Sequence, residues 1–244
     1  ARADIEVKQL SMNLIWSFLS SASAAVLMMG FPNILKESEA NQDDYTKVVL
    51  GTLILAISIT RSPIMIPLQA FQGVAVSAFL KQQHRPVAAF IKPAAAVLGI
   101  GAAGAGAAYL IGPLLFRLIY PPKPETQAVY DHVITGAVLG ILVFGSAMLA
   151  LVTLSGNMVL AINRHRAYVA GWAVAAVVAI AAAFLVPLPL VGRALVALYA
   201  GPLSGFIVHV MAMRIHARSA AQALSEGEAL REILVEGTSR DETH

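Results

Sequence analysis

Arg61 carries the strongest chemical signal in the chain, because it stands about fourteen residues inside a long apolar run where hydrocarbon solvates a charge badly. An arginine there must face protein, water or an anion. None of the fourteen Asp and Glu residues lies inside an apolar run, so pairing within a bundle is the weaker expectation and an anion-facing role the stronger. Gln69 and Gln72 follow at +8 and +11, within about 80° of Arg61 on a 3.6-residue wheel, which predicts one polar face on that helix. Two more stripes share this character: Asn13, Ser17, Ser20 and Ser21 near the start, and Ser146, Thr153 and Asn157 further on. Small hydroxyl residues at such spacing also serve close helix packing, and glutamines also bond helix to helix. Three long helices with a polar face apiece nevertheless need something polar to face, and an aqueous cavity is the usual answer in a transporter. Asn13, Ser17, Gln69, Gln72 and Asn157 are therefore the cavity-lining candidates, with Arg61 as the anion site.

Other chemistries lack their residues. The chain has no Cys, hence no thiolate ligand or nucleophile, and no His or carboxylate cluster has metal-ligand spacing. The run Gly101-Ala-Ala-Gly-Ala-Gly-Ala-Ala is a surface for close helix packing; it is no phosphate loop, since nothing resembles a glycine-rich turn ending in Lys-Ser/Thr. His209 sits in an apolar run without an acidic neighbour at helical spacing, which predicts a neutral, satisfied imidazole rather than a proton relay. Short basic loops offer no acid or base for an integral-membrane transferase. No catalytic residue, cofactor, metal or nucleic-acid partner is expected.

The elements that must position these residues follow from composition. With 244 residues, 58% of them hydrophobic and 13% charged, and a mean hydropathy of +0.73, the chain is too apolar for a soluble domain. Runs long enough to cross a bilayer fall at about 10–35, 48–80, 88–119, 132–162, 167–188 and 192–213, which predicts an all-α polytopic membrane protein whose six transmembrane helices form one bundle over residues 1–215. Pro63 and Pro67 predict a bend in the second span. The Ala-, Glu- and Arg-rich stretch at 216–244 predicts a cytoplasmic helix with a disordered polar end from Thr238. Nine basic residues, including Lys81, Arg85, Lys92, Arg164, Arg166, Arg214 and Arg218, fall on one side of the spans. Five fall on the other, diluted by Glu37, Glu39, Asp43, Asp44, Glu125 and Asp131, so both termini are expected in the cytoplasm. The chain begins at Ala1 without the features of a signal peptide, which fits a piece of a longer protein.

Three segments together resemble a known family: Leu10-Ser-Met-Asn-Leu-Ile-Trp-Ser-Phe-Leu-Ser-Ser, the long stretch from Arg61-Ser-Pro-Ile-Met-Ile-Pro-Leu-Gln-Ala-Phe-Gln to Leu80, and Leu154-Ser-Gly-Asn-Met-Val-Leu-Ala-Ile-Asn-Arg-His-Arg. They are similar to the C-terminal six-helix lobe of Wzx-type polysaccharide flippases, in the multidrug/oligosaccharidyl-lipid/polysaccharide exporter superfamily, over about residues 8–215. The resemblance implies half of a twelve-helix transporter of the cell membrane, paired with an N-terminal six-helix lobe of the same protein. It implies a polyprenyl-diphosphate-linked oligosaccharide as substrate, flipped from the cytoplasmic to the outer leaflet for cell-surface polysaccharide assembly by alternating access. Arg61 then corresponds to a cavity arginine that holds the diphosphate, and glycosyltransferases or polymerases are the implied protein partners. The same superfamily contains multidrug/cation antiporters, which use membrane-buried carboxylates that this chain lacks; a non-transporting scaffold for glycan-assembly enzymes is the remaining alternative.

Overall fold

The structure is a computed structural model that describes residues 7–39, 43–83 and 85–241; within its first helix the side chains of Asn13, Ser17 and Ser20 lie outside the described set. Among the described residues there are helices and no strand, and six helices are long and apolar enough to cross a bilayer. The chain is an all-α, multi-pass membrane protein.

The first span has three parts. Helix α1 (Val7–Ala25) runs into a π-turn over Val26–Gly30 and resumes as α2 (Phe31–Glu37), with Pro32 in the first turn of α2. Helix α3 covers Asp44–Leu80 and continues unbroken through Pro63 and Pro67. It starts at Asp43, whose carboxylate accepts from the Thr46 backbone N–H at 2.8 Å. Hydrogen bonding from Thr46 holds the Asp43 carboxyl below its ordinary value, so this cap persists through neutral pH and weakens as pH falls through the carboxylate range. Helix α4 covers Pro86–Ile119.

The fourth span begins later than the hydropathy suggests. Thr135 is extended, and its hydroxyl accepts from the Val138 N–H at 3.2 Å, so α6 (Gly136–Ala161) starts afresh and the preceding residues form a separate short helix, α5 (Gln127–Val133). Helix α7 (His165–Leu185) stops just ahead of Pro187 and Pro189, which disfavour helical backbone before them. The expected boundary near 215 is not a helix end. The last span and the tail form one helix, α8 (Leu190–Asp241), of 52 residues. Strong helix formers continue past the apolar run, so the helix outlasts it and includes Thr238, where a disordered end was expected.

Helix α6 is the axle of the bundle, buried along most of its length against α3, α4 and α8. Glycines set how closely α4 approaches it. A Cβ on Gly101 would collide with the Ala147 side chain, one on Gly112 would lie 3.0 Å from Leu139, and one on Gly140 would lie 3.0 Å from the Ala105 carbonyl. This is the close packing that the small-residue run predicts. The opposite face of α4 is open, with nothing near Gly99 or Gly106.

At the end of the bundle where α2 finishes and α8 begins, basic residues are paired. Arg193 forms an ion pair with Glu39 and also donates to the Ser38 carbonyl at 3.4 Å, while Arg117 pairs with Asp131 at 2.8 Å. These ties fix the ends of α2 and α4 to their neighbours.

The glycine geometry separates two substitutions of the same type. Gly101→Ala is expected to lower the thermal unfolding midpoint of the detergent-solubilised protein, because the added methyl overpacks the α4–α6 seam at a cost of about 1–3 kcal/mol. Gly106→Ala adds its methyl to open space and should leave the midpoint unchanged or raise it.

Candidate functional site

The site is built around a fault in the first span. Proline has no backbone N–H, so Pro32 removes one donor, the one that would serve the Met28 carbonyl in α closure or the Leu27 carbonyl in π closure. Water cannot serve those carbonyls inside hydrocarbon. The donor comes from α3: Arg61 Nη1 donates to the Met28 carbonyl at 2.8 Å and to the Leu27 carbonyl at 3.1 Å. One guanidinium nitrogen thus replaces the N–H that Pro32 lacks. Arg61 therefore points toward the first span and is partly buried, rather than standing on the open face of α3. A void of about 10 Å³ beside it, lined by Phe31, Leu149, Leu198 and Pro202 among others, has scarcely room for a water molecule.

These carbonyls satisfy hydrogen bonds without neutralising charge. Among the described residues Arg61 forms no ion pair with a carboxylate, and its Nε is buried without a hydrogen-bond partner. The guanidinium keeps donor capacity and a full positive charge within the bundle.

The two glutamines part company. Gln72 lies on the half-buried stripe that continues from Arg61 through Met65 and Leu68, about 16 Å along the helix axis. Gln69 is on the exposed face, in line with Ser58, Ser62 and Ser77, whose hydroxyls donate to carbonyls of their own helix four residues back at 2.8, 2.8 and 2.9 Å. The serines were legible by spacing: 58, 62, 69 and 77 follow the helical period. Ser21 of the first stripe is exposed, while the Asn13 and Ser17 side chains fall outside the described set.

The α6 stripe corrects the cavity-lining expectation for Asn157. Ser146, Thr153 and Asn157 are all buried in the packed interior. Ser146 donates to the Leu142 carbonyl at 3.0 Å and Thr153 to that of Leu149 at 2.9 Å, so both are satisfied by their own helix. The Asn157 Nδ2 has no hydrogen-bond partner. The axle position of α6 explains this, since from Leu149 to Val159 every residue of it is buried.

His209 is fully buried, and both of its ring nitrogens have partners, as the satisfied imidazole expected from the sequence requires. Its Nε2 lies 3.2 Å from the Tyr168 carbonyl, and its Nδ1 lies 2.9 Å from Ser155 Oγ. A carbonyl only accepts, so Nε2–H donates to Tyr168, while the single Ser155 hydroxyl proton has two acceptors in reach, the Val152 carbonyl at 2.9 Å and Nδ1. Gly171 makes the room, because a Cβ there would collide with the imidazole. The residue joins α6, α7 and α8. Among the described residues no three His, Asp or Glu side chains come together as a metal site requires. A recess of about 420 Å³ opens between α3 and α4 above Leu139 and Val143, and its lining is almost entirely apolar.

Sequence comparison adds kinship without an activity. No family model matches the chain, and no solved structure matches it. A protein of Mycobacterium tuberculosis is 38% identical over 197 residues, which is 81% of this chain and 43% of that protein. A second from the same species and one from Mycobacterium bovis are each 34% identical over 197 residues. All three bear only the name "uncharacterized protein". The chain spans 43% of the length of these curated relatives.

The Pro32–Arg61 relation makes two residues interdependent. Arg61→Gln shortens the side chain away from the Leu27 and Met28 carbonyls and is expected to destabilise the purified protein by about 1–3 kcal/mol. Pro32→Ala restores a backbone donor, so the double variant should recover most of that loss in a thermal-melt cycle; simple additivity would show that the two are independent.

Proposed function

We propose that this chain is one six-helix lobe of a transporter that flips a polyprenyl-diphosphate-linked oligosaccharide from the cytoplasmic to the outer leaflet of the cell membrane, both of its termini being cytoplasmic. The observation that carries the reading is the uncompensated charge of Arg61. Its partners are neutral carbonyls, no carboxylate answers it among the described residues, and a buried cation in hydrocarbon is best stabilised by an anion. A diphosphate offers the planar guanidinium bidentate, charge-assisted hydrogen bonds. Ser58, Ser62, Gln69 and Ser77 supply a polar track on the exposed face of α3, suited to a hydrated sugar moiety passing between two lobes. The chain spans 43% of the length of its relatives, and a protein of that length has room for a second lobe of similar size. The resemblance of the opening segment, the Arg61–Leu80 stretch and the Leu154–Arg166 stretch to polysaccharide flippases points the same way.

A second reading is favoured by α8, which continues as one helix for 28 residues beyond Met213, about 42 Å, and is long enough to dock a soluble partner. In that reading the protein is a membrane scaffold for glycosyltransferases or polymerases, and transport is absent.

Mass spectrometry of lipids that co-purify with the full-length protein in mild detergent tests both. The flippase reading expects a polyprenyl-diphosphate glycan with the wild type and a roughly tenfold loss of it with Arg61→Ala, as for one lost charge-assisted contact of about 1.4 kcal/mol or more. Bulk phospholipid alone in both samples would overturn the substrate class. Equal glycan retention in both would remove Arg61 from the binding site. Loss of function on deleting residues 219–244, with Arg61→Ala silent, would favour the scaffold.

A further inference from the structure

The two ends of the bundle treat their cations differently. At the end where α2 finishes and α8 begins, Lys47, Arg117 and Arg193 each face a carboxylate, those of Asp44, Asp131 and Glu39. At the opposite end Arg85, just ahead of α4, Lys92 on α4, and Arg214 and Arg218 on α8 stand exposed, and none of them forms an ion pair among the described residues. Water and bulk counter-ions satisfy an exposed cation, so the asymmetry alone speaks only to orientation. The shape of the surface beside these four residues gives it chemistry.

Helices α4 and α8 touch at Phe90 and Phe206, whose rings lie 5.9 Å apart. Between the start of α4 and the continuation of α8 past Met213 lies a groove of about 780 Å³. Val87 and Ala88 line one wall, Ala217, Ala220 and Ala221 the other, and Arg85 stands at its lip. Methyl-sized side chains on α8 leave this space open. Lys92 follows Ala88 by four residues, and Arg214 and Arg218 precede Ala217 and Ala221 by three, spacings that put each cation beside a groove residue of its own helix. The same side of α8 exposes Met211 and Ile207, one and two turns deeper than Arg214, where the surroundings are hydrocarbon. Cations at the mouth, methyl walls behind them and an exposed apolar track leading inward thus share one surface.

A soluble phosphate would use the cations and gain nothing from the walls. An apolar segment would fill the groove and leave the cations as they are. An anionic lipid uses both. We propose that this groove binds an anionic glycerophospholipid of the adjoining leaflet, with its phosphate between Arg85 and Arg218 and one acyl chain running past Ala88, Ala217 and Ala221 toward Met211 and Ile207. The guanidinium forks supply charge-assisted hydrogen bonds to the phosphate oxygens. Lys92 and Arg214 reach the headgroup layer on their long stems and add attraction. A zwitterionic lipid brings its own cation to the same place and loses that advantage. The site shares no residue with the surroundings of Arg61, and it stands whether or not the protein moves a glycan.

Native mass spectrometry of the full-length, delipidated protein in detergent, titrated with dioleoylphosphatidylglycerol or dioleoylphosphatidylcholine, tests this. The wild type is expected to bind the first lipid about tenfold more tightly than the second, and the double variant Arg85→Gln with Arg218→Gln should bring the two to parity. Ala221→Trp fills the groove without changing charge and should weaken phosphatidylglycerol binding by about tenfold as well. Arg164→Gln with Arg166→Gln removes two exposed cations of the same end that do not line the groove, and should leave binding unchanged. All five substituted residues are exposed, so the variants are expected to keep the wild-type unfolding midpoint. Equal affinity of the wild type for the two lipids, or an equal loss in the Arg164 and Arg166 variant, overturns the site in favour of diffuse surface charge. Unaltered phosphatidylglycerol binding in Ala221→Trp overturns the groove as the seat of the acyl chain. Displacement of the lipid by millimolar glycerol 3-phosphate overturns the lipid and assigns the cations to a soluble phosphate.

Discussion

Inside hydrocarbon a backbone carbonyl without a donor has no water to turn to, and much of this structure answers to that constraint. Pro32 creates the problem by removing an N–H in the middle of a span, and Arg61 meets it from the neighbouring helix. The solution brings a positive charge into the bundle, which creates a second demand that two carbonyls do not meet. A residue retained for hydrogen bonding alone need carry no charge. The charge is what gives the site its chemistry, and the carbonyls are what hold it in position.

The same constraint shapes the hydroxyl residues. Ser58, Ser62, Ser77, Ser146 and Thr153 each donate to a carbonyl four residues back in their own helix, whether they are exposed or buried. Such bonds let a helix carry polar groups through an apolar medium at little cost, and they hide from the sequence which hydroxyls are available to a solute. Burial decides that. On α6 the hydroxyls are sealed among neighbours, whereas on α3 they lie along an open face.

Packing density separates the rigid part of the bundle from the part free to move. Helix α6 is enclosed, and glycines on α4, α6 and α7 bring backbones and the His209 imidazole into close contact. The first span packs on α7 below the π-turn, while α4 presents an open face away from α6. Paired charges at the far end, Arg193 with Glu39 and Arg117 with Asp131, add ties where the helices leave the apolar layer.

The sequence by itself determined the solvent, the number of spans and their limits to within a few residues, because hydropathy and chain length are local properties that a bilayer reads directly. It also marked Arg61 as anomalous and His209 as a satisfied imidazole. It missed the break ahead of Gly136, and although it expected a helix in the tail it missed that this helix continues the last span without interruption to Asp241, since both turn on capping and helix propensity, not on apolar length. Only the tertiary structure decided which polar residue meets what. Arg61 reaches acceptors 33 and 34 positions away, and His209 a partner 54 away. Gln69 and Gln72 differ in exposure although they share a helix, and Asn157 is buried because α6 is the axle. Helical periodicity tells which residues share a face. Which neighbour covers that face is settled by the packing of helices distant in sequence, and Pro32 acquired its meaning only when Arg61 was seen opposite it.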